Sequence, residues 1–127
     1  MKLEILPDGS PDCPLLRLFD FTPSEAGQLH DAIAGLASGS NVRADVHHLP
    51  AVKPIGGCAL TLVVSRRDQG VLRKAGPAEF VCGFTAVTWD NVAGLIEPFT
   101  VSGCRGYQWL AEAPGEVAVL LSIDGQW

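Results

Sequence analysis

Two stretches of this chain place the same kinds of residue, in the same order, around a junction from strand to helix. Phe21-Thr22 opens a pattern carrying Leu29, Ile33 and Leu36, and sixty-three positions later Phe84-Thr85 opens one carrying Val92, Ile96 and Phe99. Apolar residues three and four apart share one face of a helix. Each helical pattern follows a strand-like run and precedes two more. The chain is therefore read as one domain, 1–127, made of two similar β-α-β-β(-β) halves at about 15–74 and 79–127. The expected fold is α+β, with two helices packed against a largely antiparallel sheet. A pseudo-symmetric arrangement of this kind has a seam between its halves, and a seam is a place for a ligand.

The first helix has the clearest boundaries. Thr22, Pro23 and Glu25 form a Thr-x-x-Glu capping box with proline at the first helical position, and Gly39 supplies a left-handed stop. The second is expected to begin at Thr88 or Asp90 and to end at Pro98. Strands are expected at Leu3–Leu6, Leu15–Phe21, Val42–Leu49, Cys58–Val64, Glu79–Phe84, Arg105–Leu110 and Glu116–Ile123. Cys58–Val64 and Glu116–Ile123 are almost continuously apolar, as suits central strands covered on both faces. Ala75-Gly76-Pro77 separates the halves, and Ala113-Pro114-Gly115 reads as a turn.

Charge narrows the function classes. Only 18% of residues are charged, below the ~25% of ordinary soluble domains, and the formal net charge is −5. Such a chain repels phosphate backbones, so no nucleic-acid partner is expected. A surface with few charges suits concealment against a protein partner or a second copy, so a homo-oligomer or protein complex is expected. One local exception is Arg66, Arg67, Arg73 and Lys74, around the turn Asp68-Gln69-Gly70. That hairpin reads either as a solvated edge or as a seat for an anion or an acidic partner. The opening residues do not form a signal peptide, and no run approaches the ~20 apolar residues of a membrane span. A cytoplasmic protein with no membrane contact is expected. Cys13, Cys58, Cys82 and Cys104 lack Cys-x-x-Cys spacing and are read as free structural thiols.

Residues able to carry chemistry are few. His47 and His48 are adjacent, so on a regular strand they face opposite ways and do not converge on one metal. His47 remains a candidate binding residue, with Asp45 two positions away. Trp89, Tyr107 and Trp109 are candidate binding aromatics, since tryptophan and tyrosine combine large contact area with a polar tip. Six of the nine aromatics lie between Phe80 and Trp109, which favours the second half for an interface. No nucleophile elbow is present, and Gly56-Gly57 lacks the lysine of a phosphate loop. No catalytic residue, metal ligand or cofactor is assigned.

The tandem order of elements resembles the vicinal oxygen chelate architecture of glyoxalases and related proteins. That resemblance implies metal ligands at inward strand positions of both modules. The first strand offers Leu16, Leu18 and Asp20 there, and no histidine follows His48. The reading is a small cytoplasmic, non-catalytic binding or protein-interaction module. The alternative is a small metabolite-binding protein or enzyme using the seam, with a metal held by His47 or His48.

Overall fold

The computed structural model describes residues 1–112 and 114–127. In chain order the elements are β1 (Lys2–Leu6), β2 (Leu15–Phe19), α1 (Pro23–Ser38), β3 (Arg43–Asp45), β4 (Lys53–Pro54), β5 (Ala59–Val64), β6 (Gly70–Arg73), β7 (Glu79–Phe84), α2 (Ala86–Ile96), β8 (Tyr107–Ala111) and β9 (Ala118–Ser122). Single turns of 3₁₀ helix follow β3, at Val46–His48, and α2, at Glu97–Thr100. The fold is α+β and forms a single domain.

The sheet departs from expectation. There are two mixed sheets, a five-stranded one in the order β4-β1-β2-β9-β8 and a four-stranded one in the order β3-β5-β7-β6. Four pairings are antiparallel (β1/β2, β8/β9, β3/β5, β6/β7) and three are parallel (β1/β4, β2/β9, β5/β7). Neither sheet belongs to one half of the chain. After β2 the chain runs through α1 and joins the other sheet as β3 and β5; after β7 it runs through α2 and returns as β8 and β9. Hydrophobic period identifies a strand and its inward face but carries no information about its neighbour. β5 and β9 are indeed central, as their apolar runs predict.

The pairing also relocates the boundary between halves. β6, read as the end of the first half, pairs antiparallel with β7 just as β1 pairs with β2. Strand order and direction then match as β1-β2-β9-β8 against β6-β7-β5-β3. The match is one of topology and does not establish a duplicated chain. Residue correspondence slips: inward Leu16 and Leu18 match Phe80 and Cys82 at a separation of 64, whereas the helices match at 63. The extra residue is Asp20, held at a φ of 56° between β2 and the helix cap.

Both helix starts rest on threonine. Thr22 Oγ1 accepts from Glu25 N, and Glu25 Oε1 accepts from Thr22 N at 3.0 Å, completing the capping box. Glu25 Oε2 also accepts from the Met1 amino group at 2.8 Å. The second helix begins two residues before Thr88: Thr85 is its cap, and its side chain accepts from Thr88 N. Asp68 reaches this end from the β5–β6 turn, accepting from Thr85 N at 3.0 Å and Thr88 Oγ1 at 2.8 Å. A carboxylate is favoured there because helix N-termini carry unpaired N–H groups and positive potential. The two helices pack on each other, and one apolar cluster unites their buried faces with the inner faces of both sheets.

Three carboxylates have pKa values below their ordinary range. Glu25 is lowered mainly by the Met1 amino group and then by Thr22 N–H. Asp68 is lowered by Thr85 N–H and then by the Thr88 hydroxyl. At Asp45 burial is the largest influence and raises the value, but the Thr61 hydroxyl and Arg43 guanidinium together outweigh it and lower it. A lowered folded-state pKa contributes stability above the unfolded value, and that contribution is lost as pH falls through the folded value. The urea midpoint should therefore hold near neutrality and drop below about pH 4. Asp68→Asn should reduce that acid sensitivity, measured as the change in midpoint from neutral to acidic buffer.

Candidate functional site

The seam is built from inward residues of all the central elements: Leu18 of β2, Leu60 and Leu62 of β5, Cys82 of β7, Trp89 of α2 and Val119 of β9. Every lining side chain is apolar, and the free space left among them is about 20 Å³. That is room for about one water and far too little for a small-molecule ligand, so side chains all but fill this seam.

Trp89, a candidate binding residue, belongs to this core. It is 2% exposed, meets the Phe84 ring edge-on at 5.0 Å, and donates from Nε1 to Val63 O at 2.9 Å. Its polar tip is satisfied inside the protein. Trp89→Phe removes that donor and should cost about 1–3 kcal/mol of unfolding free energy, read from denaturant titration, with the fold retained.

Tyr107 and Trp109 lie where their strand period puts them, on one face of β8, the edge strand of the five-stranded sheet. Their rings meet edge-on at 6.4 Å. Tyr107 is 49% exposed, and Trp109 is half-buried between two shallow surface grooves. One groove carries Asp12, Pro14 and Glu116, and the other carries Asp68, Thr88 and Leu110. The remainder of that outer face is covered by the chain's own ends. Trp127 Nε1 donates to Asp12 Oδ2 at 2.9 Å, Arg17 Nη1 donates to Gly125 O at 3.0 Å, and Ser122 Oγ donates to Gln126 O at 2.7 Å. Leu15 and Leu120, which lie outside the central apolar cluster, are nonetheless 0% exposed.

His47 sits elsewhere, beside the four-stranded sheet. The strand expected over Val42–Leu49 stops at Asp45 and becomes a 3₁₀ turn, so His47 and His48 do not alternate across a sheet. Their rings lie 4.2 Å apart. His47 Nδ1 is 3.1 Å from Leu60 N and 3.2 Å from Leu60 O. The amide is a fixed donor, so Nδ1 accepts from it and the ring proton sits on Nε2. His47 thus meets backbone groups of β5 just where β3 has ended. The carboxylate of Asp45 is taken by Thr61 Oγ1 at 2.9 Å and Arg43 Nη2 at 3.0 Å, and it is His48 that approaches it, at 3.8 Å.

The four candidates are therefore not one site: Trp89 is core, Tyr107 and Trp109 share the β8 edge, and His47 caps the opposite sheet. Among the described residues, no three His, Cys, Asp or Glu side chains come together as a metal-binding group. Among them, too, no helix is long and apolar enough to cross a membrane. Asp68 was legible in sequence only as a turn residue; its reach to Thr85 depends on the β5–β6 turn lying beside the start of α2. The expected turn Ala113-Pro114-Gly115 falls partly on Ala113, which lies outside the described residues.

The four cysteines are free, with Cys58 and Cys82 buried. Burial, with a smaller push from Glu4, raises the Cys58 thiol to about 11. Burial, with a smaller push from Asp68, raises Cys82 to about 12. Thiolate is the reactive form, so a thiol reagent should modify Cys13 and Cys104 well before Cys58 and Cys82 in the native protein. Unfolding without reductant should release four equivalents.

Comparison with protein-family models, with curated proteins and with solved structures finds no match to this chain.

Proposed function

We propose that this protein is a small, non-catalytic interaction module of the cytoplasm that self-associates through the β8 edge. The observation that carries this reading is the filled seam. Small-molecule pockets occupy roughly 300–1,000 Å³ and combine apolar walls with a few aimed polar groups. The seam offers about 20 Å³ and no polar lining. That weighs against the alternative of a metabolite-binding protein or enzyme working between the halves, and it moves recognition to the outer surface.

On that surface β8 combines two things an interface uses. It is an edge strand with backbone groups open to pairing, and it carries Tyr107 and Trp109 side by side. Antiparallel pairing of β8 with β8 of a second copy would extend the sheet and place both aromatic pairs at the centre of the contact. A standard interface needs only ~800 Å² from each partner, which an edge strand and its flanking grooves can supply.

Light scattering at micromolar concentration should return a dimer, about twice the chain mass of 13.4 kDa. Buried aromatic anchors often cost about 2 kcal/mol or more when truncated, so Trp109→Ala should raise the dimer dissociation constant at least about thirtyfold. A 13.4 kDa monomer for the unaltered protein would refute self-association.

A further inference from the structure

Charge is divided between the two sheets in a way the net value conceals. Residues 43–84 hold all four strands of the four-stranded sheet, together with β4 of the other sheet, and they carry six lysines and arginines (one of them Lys53 on β4) against three carboxylates, a net of +3. The rest of the chain carries three against eleven, a net of −8, and together these give the overall −5. The basic cluster Arg66, Arg67, Arg73 and Lys74 belongs to the positive portion.

The outer faces of the two sheets also differ in cover. In the matched strand order and register, Leu120 corresponds to Thr61 and Arg17 to Val81. In the first pair Leu120 is fully buried, and Arg17 is part-buried with its guanidinium donating to Gly125 O. The second pair stays part-exposed, with Ala59 and Val63 beside it, under an open groove of about 370 Å³. Thr61, Val63 and Val81 form its floor, and Arg43, His47, Lys74 and Glu79 form its rim. Arg43 is tied to Asp45 at 3.0 Å and remains 63% exposed, while Lys74 makes no ion pair among the described residues. Nδ1 of His47 is engaged by Leu60, and Nε2 has no partner among the described residues.

We propose that the outer face of the four-stranded sheet is a docking site for an acidic, extended polypeptide segment of a partner protein. The floor of β-branched side chains suits the alternate side chains of an extended strand, and the cationic rim suits carboxylates between them. A nucleic acid fits less well, because Glu79 stands on the rim and the molecule as a whole is anionic. The site is separate from the β8 edge, so a monomeric protein would leave this proposal standing.

The test uses the full chain and an alternating Glu-Val decapeptide, with an alternating Gln-Val decapeptide and a thymidine oligonucleotide as comparators. Titration followed by NMR should move the amides of Thr61, Val63 and Val81 with the Glu-Val peptide and leave Tyr107 and Trp109 unmoved. Lys74→Glu, at an exposed position, should weaken binding about tenfold with an unchanged dispersion of amide signals, and raised salt should weaken it in the unaltered protein. Absence of shifts at millimolar peptide, equal binding of the Gln-Val peptide, or shifts centred elsewhere would overturn the proposal. Preferential binding of the oligonucleotide would overturn it in favour of a nucleic-acid surface.

Discussion

The rest of the structure depends on the packing of α1 against α2. Each helix carries its chain from one sheet to the other, so neither half can bury its apolar face without the other. Leu29 and Ile33 of α1 meet Val92 and Ile96 of α2 within the cluster that also holds Leu18, Leu60, Cys82 and Val119. Burial of apolar surface at roughly 25 cal/mol per Å² is the main favourable term in such a domain. Here it acts across the seam rather than within either half. A single cluster uniting both sheets favours cooperative unfolding, because losing the helix contact uncovers both sheets at once.

Around that core, polar groups settle geometry at element ends. Asp68 holds the start of α2 from a turn remote in sequence, Glu25 closes the start of α1, and Asp45 joins the end of β3 to Thr61 of β5. His47 belongs with these: its ring takes over where β3 stops pairing with β5. In each case a side chain satisfies backbone or hydroxyl groups that regular structure leaves open, which is the usual requirement for polar groups near a core. Glu25, Asp45, His47 and Asp68 are thus engaged in holding the fold together.

Filling the seam has a consequence for the surface. With the seam filled among the described residues, chemical individuality lies in the two outer faces and the β8 edge. The five-stranded sheet is partly closed on its outside by Trp127, Asp12 and the residues between Ser122 and Gln126, with Tyr107 left exposed at its edge. The four-stranded sheet is more open and part-apolar, with Arg43, His47, Lys74 and Glu79 at its rim. A weakly charged chain that sorts its charges in this way has a basic segment, 43–84, and an acidic remainder, a distribution that steers partners more strongly than a net charge of −5 suggests.

Much of the local structure was legible in the residues. The capping box at Thr22, the stop at Gly39, the central position of β5 and β9 and the shared face of Tyr107 and Trp109 follow from spacing and side-chain chemistry. Such signals act over a few residues, and the sequence contains them in full. The interrupted strand at Val46–His48 was not legible, because Leu60 N–H rewards the turn from across the fold. Nor was the interior place of Trp89, whose indole finds Val63 O only once α2 lies on β5. Above all, the sequence by itself determined where both helices and most of the strands lie and which of their faces are apolar, since period and composition carry that information. Only the tertiary structure decided which strands are neighbours, that the halves exchange strands between two sheets, and which outer face is left uncovered. Those outcomes depend on contacts between residues far apart in the chain, and hydrophobic burial, being non-directional, does not encode them locally.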